Sequence, residues 1–444
     1  MATLETNGLY YTGLESVEFL VRPHAKTLVP EGISIVTTEG SGSIRKSYLA
    51  KKSKVLMKYQ SGWQGGSGAT IKQKKFELEE FKAEMSNDKH DYYDTIQEII
   101  VRSDGSNDIT GSPIHDAELE VMSNAIVDDM NRIWWLGDKT KRHNSAGTYP
   151  DGTSFAIGDE DKHYSNINGV WTQIMADAVD YASATHEDVR RVTMSNGAVA
   201  QVDTVTVTGS SGTANVTIQG VDYLATFNTN LNTTVTDFLD DYTTILAARN
   251  ITLTNAGADI VITSSIAGVP ITGTAITNVS GNLAGSVAAT TANVLPADLA
   301  VDEAKDTFNT MLRNASAEQK RMDKKLMRFY VTESMFENYE DTLESGVLES
   351  ARKNMVDGVE RYTFKGVPII PMYIDNAIAD DFQGAYPHRA ILSTPENMVK
   401  VLTDGNGDSA IETWFEKKDN ANMSRAQFEF GGGYVLPELL IAAY

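Results

Sequence analysis

The sharpest hydrophobic pattern in the chain lies between residues 112 and 137. Leu119, Met122, Ile126, Met130 and Ile133 recur at spacings of three and four, which draws one apolar stripe along a helix. Ser112 suits the N-cap, Pro113 suits the first helical position, and Gly137 is placed to end the helix in a left-handed conformation. The predicted helix, 113–136, is about 36 Å long at 1.5 Å per residue. The adjacent Trp134 and Trp135 add large apolar area at its end. Further helices are expected at about 168–184 (Trp171, Ile174, Met175, Val179), from Asp298 to Arg313, and over 333–345. Strand patterns fall at 326–331, 360–374, 388–394 and 410–418, and again from Ala426 to Phe430 and from Tyr434 to Tyr444, on either side of Gly431-Gly432-Gly433. Residues 1–40 carry apolar positions with little periodicity and read as an extended arm.

Two segments break from this background. The stretches Ser43–Tyr59 and Ala69–Leu78 alternate like strands and flank the Gly/Ser-rich run Ser61 to Gly68, which predicts a long β-hairpin. The second segment, 200–296, has no lysine and a single arginine, Arg249, and about one residue in five is threonine. Strands are expected within it at 203–208, 214–219, 251–254 and 260–263, with a helix from Thr234 to Arg249. It reads as a compact α+β module inserted into the chain at a surface site.

Charge changes the picture of the hairpin. Arg45, Lys46, Lys51, Lys52, Lys54, Lys58, Lys72, Lys74 and Lys75 lie in a stretch without a single acidic residue. With nine cations there and −22 overall, the rest of the chain carries −31. A hairpin that is polar on both faces has no core of its own to join. Electrostatic complementarity therefore points to a neighbouring copy of the same acidic chain as the surface it lies on. An overall charge of −22 also argues against strong sequence-independent DNA binding, which needs cations to displace counterions.

Candidate chemistry is sparse. Without cysteine, disulfides, thiolate metal sites and thiol nucleophiles are excluded. None of the seven histidines (His24, His90, His115, His143, His163, His186, His388) has another at metal-ligand spacing. Asp404 to Asp408 begins like a calcium loop, but Ser409 stands where glycine is needed and Phe415 where a bidentate glutamate is needed, so a turn is expected. Asp104 to Asp108 is read as a loop as well. The glycine-rich hairpin tip lacks the Gly-Lys-Ser/Thr ending of a phosphate loop, and the chain has no Gly-x-Ser-x-Gly elbow. No catalytic, metal or cofactor residues are assigned. The first residues, Met1-Ala2-Thr3-Leu4-Glu5, show no export signal, and no apolar run approaches the roughly 20 residues of a membrane helix. A soluble protein is expected, with no membrane partner.

Local sequence then carries a family resemblance. Tyr362-Thr363-Phe364-Lys365-Gly366-Val367-Pro368-Ile369-Ile370-Pro371, Pro387-His388-Arg389-Ala390-Ile391-Leu392-Ser393-Thr394-Pro395-Glu396-Asn397 and the ending Tyr434 to Tyr444 are similar to strands of tailed-bacteriophage major capsid proteins. The order of arm, basic hairpin, long helix and interrupted α/β region also resembles that Hong Kong 97-type fold. The segment 200–296, with Thr277-Asn278 and Ser280 to Leu283, looks like a domain grafted onto several phage structural proteins.

The resemblance implies an α+β, Hong Kong 97-like fold. Its parts would be an arm at 1–42, an extended loop at 43–84, and a peripheral domain at 85–165 with its spine helix at 113–136. The axial domain would occupy 166–199 and 297–408, interrupted by the inserted α+β domain at 200–296. Peripheral C-terminal strands would fill 409–444. It further implies a structural protein of the virion, not an enzyme, assembled in the host bacterial cytoplasm as pentamers and hexamers of an icosahedral head around double-stranded DNA. Expected partners are other copies of the chain, portal, head-decoration or auxiliary capsid proteins, and a separate scaffolding protein during assembly. DNA would be touched only by weak non-specific contact. A tail-tube or head-decoration protein is the alternative. An adhesin would be expected to carry an export signal, and a hydrolase using acidic residues has no motif in its favour.

Overall fold

The computed structural model describes residues 33–38, 43–49, 61, 71–88, 113–143, 146–149, 152–185, 188–194, 197–247, 249–344, 353–356, 359–381, 386–403, 412–418 and 421–444. They divide into two compact units. The first comprises the described residues up to Gly137 together with Asn166–Gln173 and Pro395–Pro437. The second comprises Asp138–Ser165, Ile174–Thr394 and Glu438–Tyr444.

The first unit is built on a six-stranded sheet. Its order is Ser34–Thr38, Met398–Thr403, Ala421–Tyr434, Ile71–Asp88 and Ser43–Leu49, with Glu412–Glu416 also pairing with Ala421–Tyr434. The long strand Ile71–Asp88 is shared between two partners. Leu78 to Asp88 pairs antiparallel with Ala421 to Gly431, while Ile71 to Glu77 pairs antiparallel with Ser43–Leu49. The base of the basic hairpin is therefore the continuation of a body strand. This base does join a core, contrary to the sequence expectation: Phe76 and Leu78 are buried with Val399, Val401 and Val435. The alternation that made the hairpin look two-faced and polar holds only up to Lys75; from Phe76 the inward positions are apolar.

The long helix runs Pro113–Leu136. Met122 and Ile133 of the predicted stripe are buried, as are Trp134, Trp135 and Leu136. Ser112 lies outside the described residues. Gly137 follows the helix but is not among the glycines with positive φ. Its need for glycine comes from a close approach: a Cβ there would stand 2.5 Å from the Ile167 carbonyl oxygen. Gly169 N–H donates to the Gly137 carbonyl (2.7 Å), and Thr172 Oγ1 donates to the same oxygen (2.6 Å). Backbone crosses backbone here, which only residues without Cβ permit.

The second unit contains an eight-stranded mixed sheet. Its order is Lys353–Val356, Val359–Phe364, Val367–Pro371, Arg328–Val331, Ala390–Ser393, Ile441–Ala443, Val189–Val192 and Ala178–Asp180. Helices Glu303–Asn314 and Glu333–Glu344 pack on it through Phe308, Met311, Met335 and Tyr339 against Phe329 and Phe364. Several sequence expectations change here. The helix expected at 168–184 stops at Asp177, and Ala178–Asp180 becomes a strand because it pairs in parallel with Val189 to Arg191. The strand expected at 360–374 is two strands folded at Lys365 and Gly366, both with positive φ (50° and 88°), as a tight hairpin turn requires. The helix expected from Asp298 begins at Glu303, after Asp302 in a left-handed conformation (φ 67°). Finally, the end of the chain is divided between the units. The strand Ile441–Ala443 is fully buried between Ala390–Ser393 and Val189–Val192, so 438–444 leaves the strands expected together over 409–444. Conversely, Met398–Thr403, expected with 297–408, pairs in the sheet of the first unit. Likewise Asp138–Ser165, expected with 85–137, clusters with the second unit, and Asn166–Gln173 with the first.

Residues Val202 to Thr291 form two sheets of their own. One is ordered Val221–Thr226, Gly212–Ile218, Ala275–Gly281; the other Ile251–Ala256, Asp259–Ser264, Val202–Thr208, Ala284–Thr291. The helix Leu231–Ala247 buries Val235, Phe238 and Leu246 in a core cluster distinct from that of the eight-stranded sheet. The strands 221–226, 275–281 and 284–291 were not among the sequence expectations; the last two have mostly threonine, alanine, glycine or polar positions, with few large apolar residues to alternate. Where the segment begins and ends, Val199 and Val294 exchange both backbone hydrogen bonds (3.0 and 3.2 Å).

Candidate functional site

The hairpin register brings like charges together. Arg45 stands opposite Lys75, and Lys46 opposite Lys74. Directly opposed like charges destabilise an isolated strand pair, each by a few tenths of a kcal/mol up to about 1 kcal/mol. Two local contacts relieve part of this. Lys75 Nζ lies 3.3 Å from Glu77, with both side chains at least half exposed, so the pair is worth little. Lys74 Nζ sits 4.7 Å above the Tyr434 ring. Lys72 is placed opposite Tyr48. Lys51, Lys52, Lys54 and Lys58 lie outside the described residues. The same long strand changes sign along its length, from Lys72, Lys74 and Lys75 to Glu77, Glu79, Glu80 and Glu84. Lys82 interrupts the acidic part and pairs with Glu84 at 3.0 Å.

The nearest approach to catalytic geometry is in the second unit. His388 Nδ1 is 2.8 Å from Ser334 Oγ, and His388 Nε2 is 3.2 Å from the Ala297 carbonyl. A hydroxyl on an imidazole at this distance is the start of an acyl-transfer site. The donors such a site needs for an oxyanion are already engaged. The Glu333 and Ser334 N–H groups donate to the Asp375 carboxylate at 2.9 and 3.0 Å. The cluster works as a helix cap and as a tie to the segment carrying Ala297. Desolvation lowers the pKa of His388, opposed by its Ala297 bond and by Asp375, Asp298 and Glu303. These residues are distant in sequence, and no local motif marks them.

The buried cations Arg328, Arg389 and Lys400 were not singled out as site residues from the sequence. Arg389 donates from Nε to the Tyr386 carbonyl (2.6 Å), and burial lowers its pKa to about 10. Lys400, in the apolar run Met398-Val399-Lys400-Val401-Leu402, is only 2% exposed and stands 5.3 Å from the Phe430 ring. Burial lowers its pKa to about 8. His143 and His163 both pack around Tyr149, whose hydroxyl is 2.6 Å from His143 Nε2 and accepts from Lys162 N–H at 3.1 Å. Among the described residues, no group of three or more His, Asp or Glu is arranged to hold a metal ion, and no helix is long and apolar enough to cross a membrane. Asp104 to Asp108 and Asp404 to Asp408 lie outside the described residues.

No protein-family model matches the chain, and a search of curated proteins finds no match. Solved structures do match along its length. The capsid of cyanophage P-SCSP1u is similar with a TM-score of 0.43 at 9% identity, covering 98% of this chain and 93% of that one. The capsid of the empty GTA particle gives 0.42 at 8% identity, covering 98% and 94%. The mature capsid of bacteriophage PhiM1 gives 0.42 at 9% identity, covering 98% and 90%.

Proposed function

We propose that the chain is a shell-forming structural protein, the major capsid protein of a tailed bacteriophage with a Hong Kong 97-type fold. One observation carries the reading. The strand Ile71–Asp88 is bonded along its inner half into a body sheet and continues as a hairpin whose cations face one another. An arm of this kind is under electrostatic strain until anions meet it, and the anions at hand belong to other copies of a chain with net charge −22. The quoted motifs support the same reading. Tyr362 to Pro371 and Pro387 to Asn397 contribute strands that flank Arg328–Val331 in the second unit's sheet.

On this reading Ser43 to Glu84 is the extended loop, Pro113–Leu136 is the spine helix, and the eight-stranded sheet belongs to the axial domain. Residues 200–296 form an inserted domain facing outward. Arg45, Lys46, Lys51, Lys52, Lys54, Lys58, Lys72 and Lys75 contact the adjacent subunit, while Lys74 is partly committed to Tyr434. Copies assemble as pentamers and hexamers into an icosahedral head of the virion, with a separate scaffolding protein, a portal and auxiliary head proteins as partners. Packaged DNA touches the wall weakly.

The test is electron microscopy of the protein expressed alone and with its neighbouring genes. Closed shells or five- and six-membered rings are expected. Dispersed monomers in both preparations would refute the reading, and tubes would assign the chain to a tail. Replacing Lys51, Lys52 and Lys54 with glutamate should block shells while leaving the circular dichroism of the subunit unchanged. Normal shells from that variant would remove the electrostatic role of the hairpin.

A further inference from the structure

The second unit carries a cationic patch that neither the hairpin nor the shell reading uses. Between Arg313 and Arg328 the chain places six cations against two acids, Glu318 and Asp323. Arg313, Lys320, Arg321, Lys324 and Lys325 are all exposed. They occupy the end of helix Glu303–Asn314, the last turn of the short helix Ala317–Arg321, and the 3-10 turn Lys324–Leu326. Lys365 extends the patch. The Lys324 stem packs beside Gly366, and Lys365 Nζ bonds to Asn309, one turn before Arg313 on the same helix. None of these six exposed cations is ion-paired among the described residues.

The scaffold under them is closely determined. Ser316 and Gln319 form a reciprocal capping box, and Asp323 accepts from Lys325 N–H at 3.1 Å. The buried guanidinium of Arg328 donates to the carbonyls of Lys325 and Met327. Helix ends attract cations, each end carrying about half a negative charge, less for helices this short. Here the carbonyl ends are already met by Arg328 and by Met322 N–H, which donates to the Glu318 and Gln319 carbonyls. The net patch charge, +4 once Glu318 and Asp323 are subtracted from the six exposed cations, exceeds what those ends require.

We infer that this patch binds the phosphate backbone of nucleic acid without sequence preference. Four of its six cations are lysine, a residue depleted at protein interfaces but suited to non-specific phosphate contact as a hydrated point charge. The run from Arg313 to Lys325 contains no aromatic residue on which bases could stack, so the backbone is what it can read. The overall negative charge is no obstacle at short range. At physiological ionic strength, charges beyond about 8 Å are largely screened, so bound phosphate feels mainly the local cations. The inference needs only the soluble subunit and does not depend on shell formation.

The test is fluorescence anisotropy of a labelled duplex of about 30 base pairs, titrated with full-length unassembled protein at several salt concentrations. With about four phosphates neutralised, affinity should fall roughly 100-fold between about 50 and 200 mM salt. The variant Lys320→Gln, Arg321→Gln, Lys324→Gln, Lys325→Gln should lose most of that binding. Each single neutralisation should flatten the logarithmic salt slope by about 0.9, which keeps the test available should the quadruple variant misfold. Wild-type protein that fails to bind at the lower salt, or single and quadruple variants that bind as wild type does, would overturn the inference. Loss of binding only in the Lys51, Lys52, Lys54 variant would move the DNA contact to the hairpin. If the patch variants leave DNA binding intact and change subunit association instead, the patch is a contact between copies and the nucleic-acid assignment fails.

Discussion

Replacing Gly432 with alanine tests whether the glycine run is dictated by the approach of the long helix. A Cβ at this position would lie 2.3 Å from the Val399 carbonyl oxygen and 2.7 Å from Trp134 Nε1, with φ at 148°. Neither neighbour can yield cheaply. One is backbone in the adjacent strand, and the other is an indole 1% exposed that donates to the same Val399 carbonyl at 3.2 Å. Overpacking a tight site costs about 1–3 kcal/mol, and displacing a buried donor from its acceptor costs about 1–3 kcal/mol. The expected loss is thus about 2–6 kcal/mol, a large share of the roughly 5–15 kcal/mol that a domain has. Gly220→Ala is the reference. It has a positive φ of 74° but nothing within 4 Å of the added carbon, so only the backbone cost of about 1–2 kcal/mol applies. Trp134, Trp135, Trp171 and Trp414 all lie in the first unit, so urea unfolding followed by tryptophan fluorescence reads the unit that Gly432 belongs to. The midpoint of Gly432→Ala should fall by about 1–3 M, while circular dichroism shows only a small effect for Gly220→Ala. A Gly432→Ala midpoint equal to wild type would refute the packing argument and leave the glycine run without a steric reason.

Lys400 makes stability depend on alkaline pH. Burial lowers its folded pKa to about 8 from 10.5, so between those values the unfolded chain holds a proton that the folded chain has released. Stability should therefore rise as pH increases from about 8 to 10.5, and the full penalty of roughly 3 kcal/mol applies below about 8. Lys400→Met should be more stable than wild type near pH 7 and should lack that rise. Parallel pH profiles for the two proteins would contradict the assignment. The segment beginning after Val199 should be removable. Because Val199 and Val294 already exchange two hydrogen bonds, joining them through a two-residue Asn-Gly turn in place of 200–293 should leave a remainder whose second unit still unfolds cooperatively by circular dichroism. A remainder that stays unfolded would show that the segment's core also supports the eight-stranded sheet.

The elements with strong period were legible in the sequence. The helix Pro113–Leu136 could be read from its stripe, because a 24-residue amphipathic repeat leaves little choice of conformation or face. The base of the basic hairpin, Ser43–Leu49 paired with Ile71 to Glu77, was legible from strand alternation and charge, which are local properties, while Gly62 to Gly68 of the expected tip lie outside the described residues. The distinct composition of 200–296 was in view in the letters, and Val202 to Thr291 within it form two sheets with a core cluster of their own. What the sequence did not contain was pairing. Whether Ala178–Asp180 continues a helix, which sheets Met398–Thr403 and Ile441–Ala443 join, and which end of Ile71–Asp88 is anchored all depend on pairing with other strands, near in sequence for Ala178–Asp180 and on the far side of the chain for Ile71–Asp88. Neither the strand Met398–Thr403 nor the burial of Lys400 was expected from the sequence; the sheet closes around that side chain. Ser334, Asp375 and His388 carry no motif, and only folding brings them within hydrogen-bond reach. The exposed run from Arg313 to Lys325 was in view as letters, but its joining with Lys365 through Gly366 and Asn309 is a tertiary fact. Periodicity, composition and charge are set residue by residue along the chain. Register, burial and the company each charge keeps are set by contacts whose partners are remote in sequence, so only the folded structure decides them.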